Sequence, residues 1–172
     1  ALASDPELLK ALQAKTSARE SLDEIRKKDA AWKGNPQLPL RKQLTASPCA
    51  QRLRDLTKDD PLVVEVILMD AQGANACISR ETSDYWQGDE AKFQKTLGAD
   101  KEIFLDEPAF DASSGTYAIQ LSVLVANGRD KAGVVTLTLR VRKDGVGALE
   151  GAPPSRGAAR DAAPAAGLQA QS

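Results

Sequence analysis

Between Leu62 and Val141 the chain carries five short apolar blocks divided by turn-forming clusters, and this spacing restricts the fold more than any other feature. The first block, Val63, Val64, Val66, Ile67 and Leu68, is nearly continuous and β-branched, as expected of a central strand covered on both faces. Asp70-Ala71-Gln72-Gly73 supplies a turn, since Asp favours its first position and Gly accepts the left-handed conformation. A returning strand is predicted over 74 to 80. The next segment differs in kind. Thr82-Ser83-Asp84 offer capping groups before Tyr85, Trp86, Ala91, Phe93 and Leu97, so residues 82 to 101 read as an irregular stretch and a helix that Gly98 ends. Three further strands are predicted over 102 to 110, 116 to 126 and 131 to 142. Turn signals separate them at Ser113-Ser114-Gly115 and at Asn127-Gly128, the latter a hairpin.

Alternation along the last two strands assigns their faces. Tyr117, Ile119, Leu121, Val123 and Val125 form the set expected on the better-buried side, with Ala118, Gln120, Ser122 and Leu124 on a semi-polar side. Val135, Leu137, Leu139 and Val141 alternate in the same way with Val134, Thr136, Thr138 and Arg140.

Upstream, residues 4 to 31 are predicted as one long helix. Ser4 with Glu7 makes a capping box, Pro6 suits the first turn, and Leu8, Leu12, Ala18, Leu22, Ile25 and Trp32 draw a narrow apolar stripe between charges. Such a helix packs on one side, against the sheet or against a second copy. Gly34, Pro36 and Pro39 predict a loop over 33 to 46, and Ser47-Pro48 opens a short helix to about Leu56. From Gly145 the composition falls to Ala, Gly, Pro and Ser, with Leu149 and Leu168 its only leucines. Residues 145 to 172 are therefore expected to be a flexible tail behind one domain over 1 to 144.

Composition removes several function classes. The chain contains no histidine, which takes away the commonest general base and the commonest transition-metal ligand together. Two cysteines are too few for a zinc site without histidine, and no cofactor is called for. Asp106, Glu107 and Asp111 lack the order of a calcium loop, and a carboxylate-based hydrolase would need two acids facing across a cleft. Lys and Arg number 23 against 24 Asp and Glu with no basic cluster, so nucleic acid is disfavoured as a partner. No apolar run reaches the roughly 18 residues that a membrane span requires. The opening Ala1-Leu2-Ala3 fits the upstream side of a signal-peptidase site, which would place the protein in the periplasm or otherwise outside the cytoplasm. Cys49, Leu53 and Leu56 fall at i, i+4 and i+7, a spacing that turns Cys49 toward the core. Cys49 and Cys77 are either bridged, which export would permit, or two buried thiols.

Several of these residues in order resemble the Cache family, the extracytoplasmic PAS-like sensor domains also called PDC domains. The carriers are Ile67-Leu68-Met69-Asp70-Ala71-Gln72-Gly73, Thr82-Ser83-Asp84-Tyr85-Trp86-Gln87-Gly88-Asp89, Ser113-Ser114-Gly115-Thr116-Tyr117, and Ser122-Val123-Leu124-Val125 followed by Lys131-Ala132-Gly133-Val134-Val135. The resemblance implies an α+β fold: a five-stranded antiparallel sheet, a long N-terminal helix along it, and a helical cap between strands two and three that closes a small-molecule pocket. It also implies a metabolite ligand of the amino acid, carboxylate or amine class and a membrane signalling protein as partner. The extended amino-acid-binding signature of two-lobed members is not matched.

A pocket of that kind wants apolar walls and a few aimed polar groups. Arg80, Asp84, Tyr85 and Trp86 offer a cation, an anion and two rings where strand two enters the cap, and Phe93 adds a third ring. In a chain only 4% aromatic, three rings within residues 85 to 93 are a concentration. Asp106, Tyr117 and Gln120 are expected to approach from strands three and four, Tyr117 only if a bulge reverses its parity. The competing reading is an interaction or assembly module on the same fold, with side chains filling the volume under Trp86.

Overall fold

The computed structural model describes residues 2–111 and 116–141. The tail expected over 145 to 172 and the Ser113-Ser114-Gly115 turn lie outside the described residues.

The N-terminal helix is not continuous. After a 3-10 turn at Leu2–Ser4, α1 runs Pro6–Ala18 and α2 runs Leu22–Gly34, and Arg19 between them adopts a left-handed conformation (φ 49°). Two local signals explain the break. Asp5, rather than Ser4, caps α1 by accepting from the Glu7 amide, and Ser21 with Glu24 forms a complete second capping box. The apolar stripe that suggested one helix is thus shared by two. The expected loop over 33 to 46 also holds a helix, α3 (Pro39–Ala46), because Pro39 falls at a first-turn position where its missing N–H has no partner to lose. Ser47 caps α4 (Pro48–Thr57) as expected.

The sheet is antiparallel throughout, in the order β2-β1-β6-β5-β3, with β4 also paired to β5. Its strands are β1 (Val63–Asp70), β2 (Asn75–Ile78), β3 (Ile103–Leu105), β4 (Ala109–Asp111), β5 (Thr116–Asn127) and β6 (Asp130–Arg140). The third predicted strand has become two, so six strands replace five. Pro108 has no N–H to give a ladder, and the chain bends away from β5 between Asp106 and Pro108 before returning. At the other end, Gly73 turns β1 into β2 with φ 83°, and a Cβ there would lie 2.4 Å from the Gly88 Cα.

Two cores sandwich the β1–β2 half of this sheet. On one side, hereafter the helix face, Leu8 and Leu12 of α1 with Cys49, Ala50 and Leu53 of α4 pack on Val66, Leu68, Cys77, Val125 and Val135. On the opposite cap face, Ile25 and Trp32 of α2, Leu44 of α3, and Tyr85 and Phe93 pack on Ile67, Met69, Ile78 and Val134. A bond between Cys49 and Cys77 ties α4 to β2. The helix predicted within 82 to 101 shrinks to one turn, Ala91–Phe93, that runs into a π-helical turn, Gln94–Gly98.

The assignment of better-buried residues on β5 is reversed over most of its length. Ser122 is fully buried and Ala118 nearly so, whereas Tyr117, Ile119, Leu121 and Val123 are only half-buried; Val125 alone of that set is buried. The cap covers the semi-polar face, and α1 reaches only the far end of β5. Ser122 and Thr136 resolve their burial by sharing a hydrogen bond of 2.9 Å between hydroxyls.

Candidate functional site

The cap is held by charge. Asp29, on α2 and nearly buried, accepts hydrogen bonds at one oxygen from the amides of both Tyr85 (2.9 Å) and Trp86 (3.0 Å), while its other oxygen meets Lys33 Nζ at 2.7 Å. Lys33 also reaches Asp84 at 2.8 Å. Tyr85 is fully buried, its ring 6.1 Å from that of Trp32, and its hydroxyl accepts from Lys15 Nζ at 2.6 Å. Backbone bonds from Asn75 to Tyr85 and from Gln87 to Gly73 lay the segment along the free edge of β2. Trp86 donates its indole N–H to the Gln72 carbonyl and carries Arg26 over its ring.

The first group of candidates is therefore only partly convergent. Asp84, Tyr85 and Trp86 come together, but around α2 and one another, and Phe93 lies in the packed cap-face core. Arg80 is exposed just past the end of β2. The segment 82 to 101 does roof the sheet, yet the space beneath Tyr85 and Phe93 is occupied by Trp32, Met69 and Ile78. Sequence reasoning missed Asp29 and Lys33, whose spacing of four reads as an ordinary exposed helix pair.

Beside the cap, where α1 gives way to α2, Lys15, Glu20, Lys28, Asp70 and the Tyr85 hydroxyl form a charged network. Burial pushes the Asp70 carboxyl up, and amide hydrogen bonds from Gln72 and Ala74 with the Lys15 charge do not offset it. At Asp84 burial also acts upward, but hydrogen bonds from Lys33 and Ser83 and the Lys33 charge outweigh it, holding the carboxyl below its usual range. These opposite shifts give opposite pH dependences. Asp84 adds stability above the unfolded carboxylate value, lost as pH falls through its depressed folded value; Asp70 adds stability while protonated, lost as pH rises through its raised one. Melting curves from about pH 3 to about pH 7 are expected to show Asp84→Asn falling further behind the parent as pH rises, while Asp70→Asn gains on it. Parallel behaviour of the two variants would contradict these assignments.

The second group of candidates opens a different site. Where the chain bends between β3 and β4, Asp106, Glu107, Ala109, Ala118, Gln120 and Thr138 line a cleft of about 250 Å³ on the far end of the cap face. Asp106 and Gln120 meet there rather than under the cap, the place expected of them, with the Asp106 amide donating to the Gln120 carbonyl at 2.9 Å. Tyr117 does not join them: its register with Phe110 puts it on the helix face, the two rings edge to face at 5.6 Å. Thr138 is the residue that sequence reasoning passed over. Only 2% of it is exposed, and its hydroxyl has no hydrogen-bond partner. Threonine is so common in strands that alternation alone could not single it out. Among the described residues no group of three acidic or cysteine side chains is placed to hold a metal ion, and no helix is long and apolar enough to cross a membrane.

No family model matches the chain, and no curated protein matches it. Solved structures do. The extracellular domain of rpHK1S-Z16, described as a histidine kinase, aligns over 81% of this chain and 53% of its own length at 20% identity and TM-score 0.45. The likeness is to extracellular sensor domains. The sensory domain of the Campylobacter jejuni chemoreceptor Tlp3, solved with isoleucine bound, aligns over 81% of this chain and 59% of that one at 18% identity and TM-score 0.44. The ligand-binding domain of the Pseudomonas fluorescens chemoreceptor CtaA, in complex with L-serine, aligns over 69% and 58% at 16% identity and TM-score 0.41. This chain thus spans between half and three fifths of the length of the structures it matches.

Proposed function

We propose that this chain is an extracytoplasmic, non-enzymatic sensor domain that binds a small metabolite in the cleft between β4, β5 and β6 and passes its state to a membrane signalling protein. The observation that carries the reading is the Thr138 hydroxyl. A buried hydroxyl without a partner loses about 1 to 3 kcal/mol, and a ligand that supplies the missing bond recovers it. Asp106 and Glu107 beside it favour a cation, and Ala109 and Ala118 offer an apolar wall. That combination suits an amine or the ammonium end of an amino acid better than a bare carboxylate, and a volume of about 250 Å³ limits the ligand to metabolite size. The Cys49–Cys77 bond supports a location outside the reducing cytoplasm.

A thermal-shift screen of amines, amino acids and short carboxylates tests this. A ligand at about a hundredfold its dissociation constant adds about 2.7 kcal/mol to the folded state, an upward shift of roughly 5 to 10 °C. Amines and amino acids are expected to give such shifts and Thr138→Val to lose them; a screen that moves nothing, or a Thr138→Val response equal to the parent's, would overturn the site. A second reading, an interaction module, draws on the filled volume beneath Trp86. It expects no small molecule to act.

A further inference from the structure

The helix face of the sheet is covered over only part of its width. α1 and α4 lie on β1, β2 and β6, and the N-terminal turn brings Leu2 and Ala3 onto the end of β5 near Val123. Past them, the pairing registers put Ile103, Leu105, Phe110, Leu121 and Leu139 on one continuous surface with Tyr117. On β3, on β4 and from Tyr117 to Val125 of β5, every residue that registers on this face is apolar or aromatic. Ile103, Leu105 and Phe110 are 59%, 58% and 60% exposed, whereas single-sided sheets normally turn polar residues to water.

The geometry points to a second copy of this chain as the occupant, packed face to face across a two-fold axis. Three considerations favour it. The surface carries no charge, so a charged partner gains nothing there, and an identical uncharged face is a match for it. β3 and β4 follow one another along the same edge of β5, so the patch is three strands wide; at about 4.8 Å per strand and roughly six residues of length it covers on the order of 300 Å² in plan, well under the ~800 Å² per partner of a standard interface, as befits a weak, reversible dimer. The chain's own continuation is a poor cover. It leaves β6 beside this surface, where the Val141 amide donates to the Tyr117 carbonyl, but residues 142 to 172 offer only Val146, Leu149 and Leu168 as large apolar groups. This pairing differs from association through the N-terminal helix, and it stands whether or not the cleft takes a ligand.

Sedimentation equilibrium of the full chain from low micromolar to millimolar concentration tests the pairing. The weight-average mass is expected to rise from one copy toward two. Leu105→Asp is expected to weaken association at least tenfold, and Phe110→Asp to do the same, with melting midpoints close to the parent's because both side chains are largely exposed in one copy. Leu56→Asp, on the exposed side of α4, serves as the control and should dimerise like the parent. A parent that stays single throughout, or a dimer insensitive to both substitutions, would overturn the proposal. So would a chain ending at Val141 that dimerises when the full chain does not, since the tail would then be the occupant. If Leu105→Asp fails to fold, Ile103→Lys on the same edge strand gives the same readout.

Discussion

Asp29→Ala is expected to lower the unfolding free energy by about 3 to 4 kcal/mol, the consequence of stranding two cap amides at about 1 to 3 kcal/mol each. The carboxylate is the hinge pin of the cap: one oxygen takes the Tyr85 and Trp86 amides together, the other holds Lys33, and Lys33 holds Asp84. With the methyl of alanine in its place, the Tyr85 amide is buried without an acceptor. Asp29→Asn keeps an oxygen in the same position and should lose less than half as much. Urea unfolding of the two variants beside the parent separates the cases. A loss under about 1 kcal/mol for Asp29→Ala would mean that backbone pairing to β2 holds the cap unaided.

Removing both cysteines is expected to be comparably severe. The bond between Cys49 and Cys77 closes a span of 28 residues, which in the chain-entropy account stabilises by about 3 to 4 kcal/mol. Cys49→Ala with Cys77→Ala should therefore lower the melting midpoint by roughly 10 °C, and a reducing agent should do the same to the parent. The effect falls on the α4–β2 contact, on the opposite face from the cap, so it should add to that of Asp29→Ala without coupling. A reduced parent that melts with the oxidised one would contradict it.

Much of the architecture was legible in local chemistry. The β-branched run of β1, the Asp70–Gly73 turn and the Asn127-Gly128 hairpin each left a specific mark, and all three stand. What was misread has a common cause: two signals competed within one window and the weaker-looking one prevailed. At Ser21 a capping box interrupted an otherwise continuous stripe. Pro39 reads as a breaker by composition but opens a helix in the structure. On β5, apolar content points to one face, yet burial follows the position of the cap, a tertiary fact that alternation cannot carry; Ile119, Leu121 and Leu124 are half-buried and Ser122 lies inside.

The site was legible in the same uneven way. Strand register brings Asp106 and Gln120 to one cleft, but not to the one under the cap. Asp84, Tyr85 and Trp86 were identified as a cluster, but their partners, Asp29, Lys33 and Lys15, lie 50 to 70 positions away on helices whose docking no short motif encodes. Thr138 announced itself only as an orphaned hydroxyl, a property of the folded packing.

Calorimetric titration of a small amine or amino acid into the parent and into Thr138→Val tests the cleft most directly, read together with the side-chain amide resonance of Gln120. A ligand site here requires saturable binding of one molecule per chain, a shifted Gln120 amide, and affinity at least tenfold weaker in Thr138→Val. Equal affinity in the variant, or binding that leaves the Gln120 amide unmoved, would place any ligand elsewhere and contradict it.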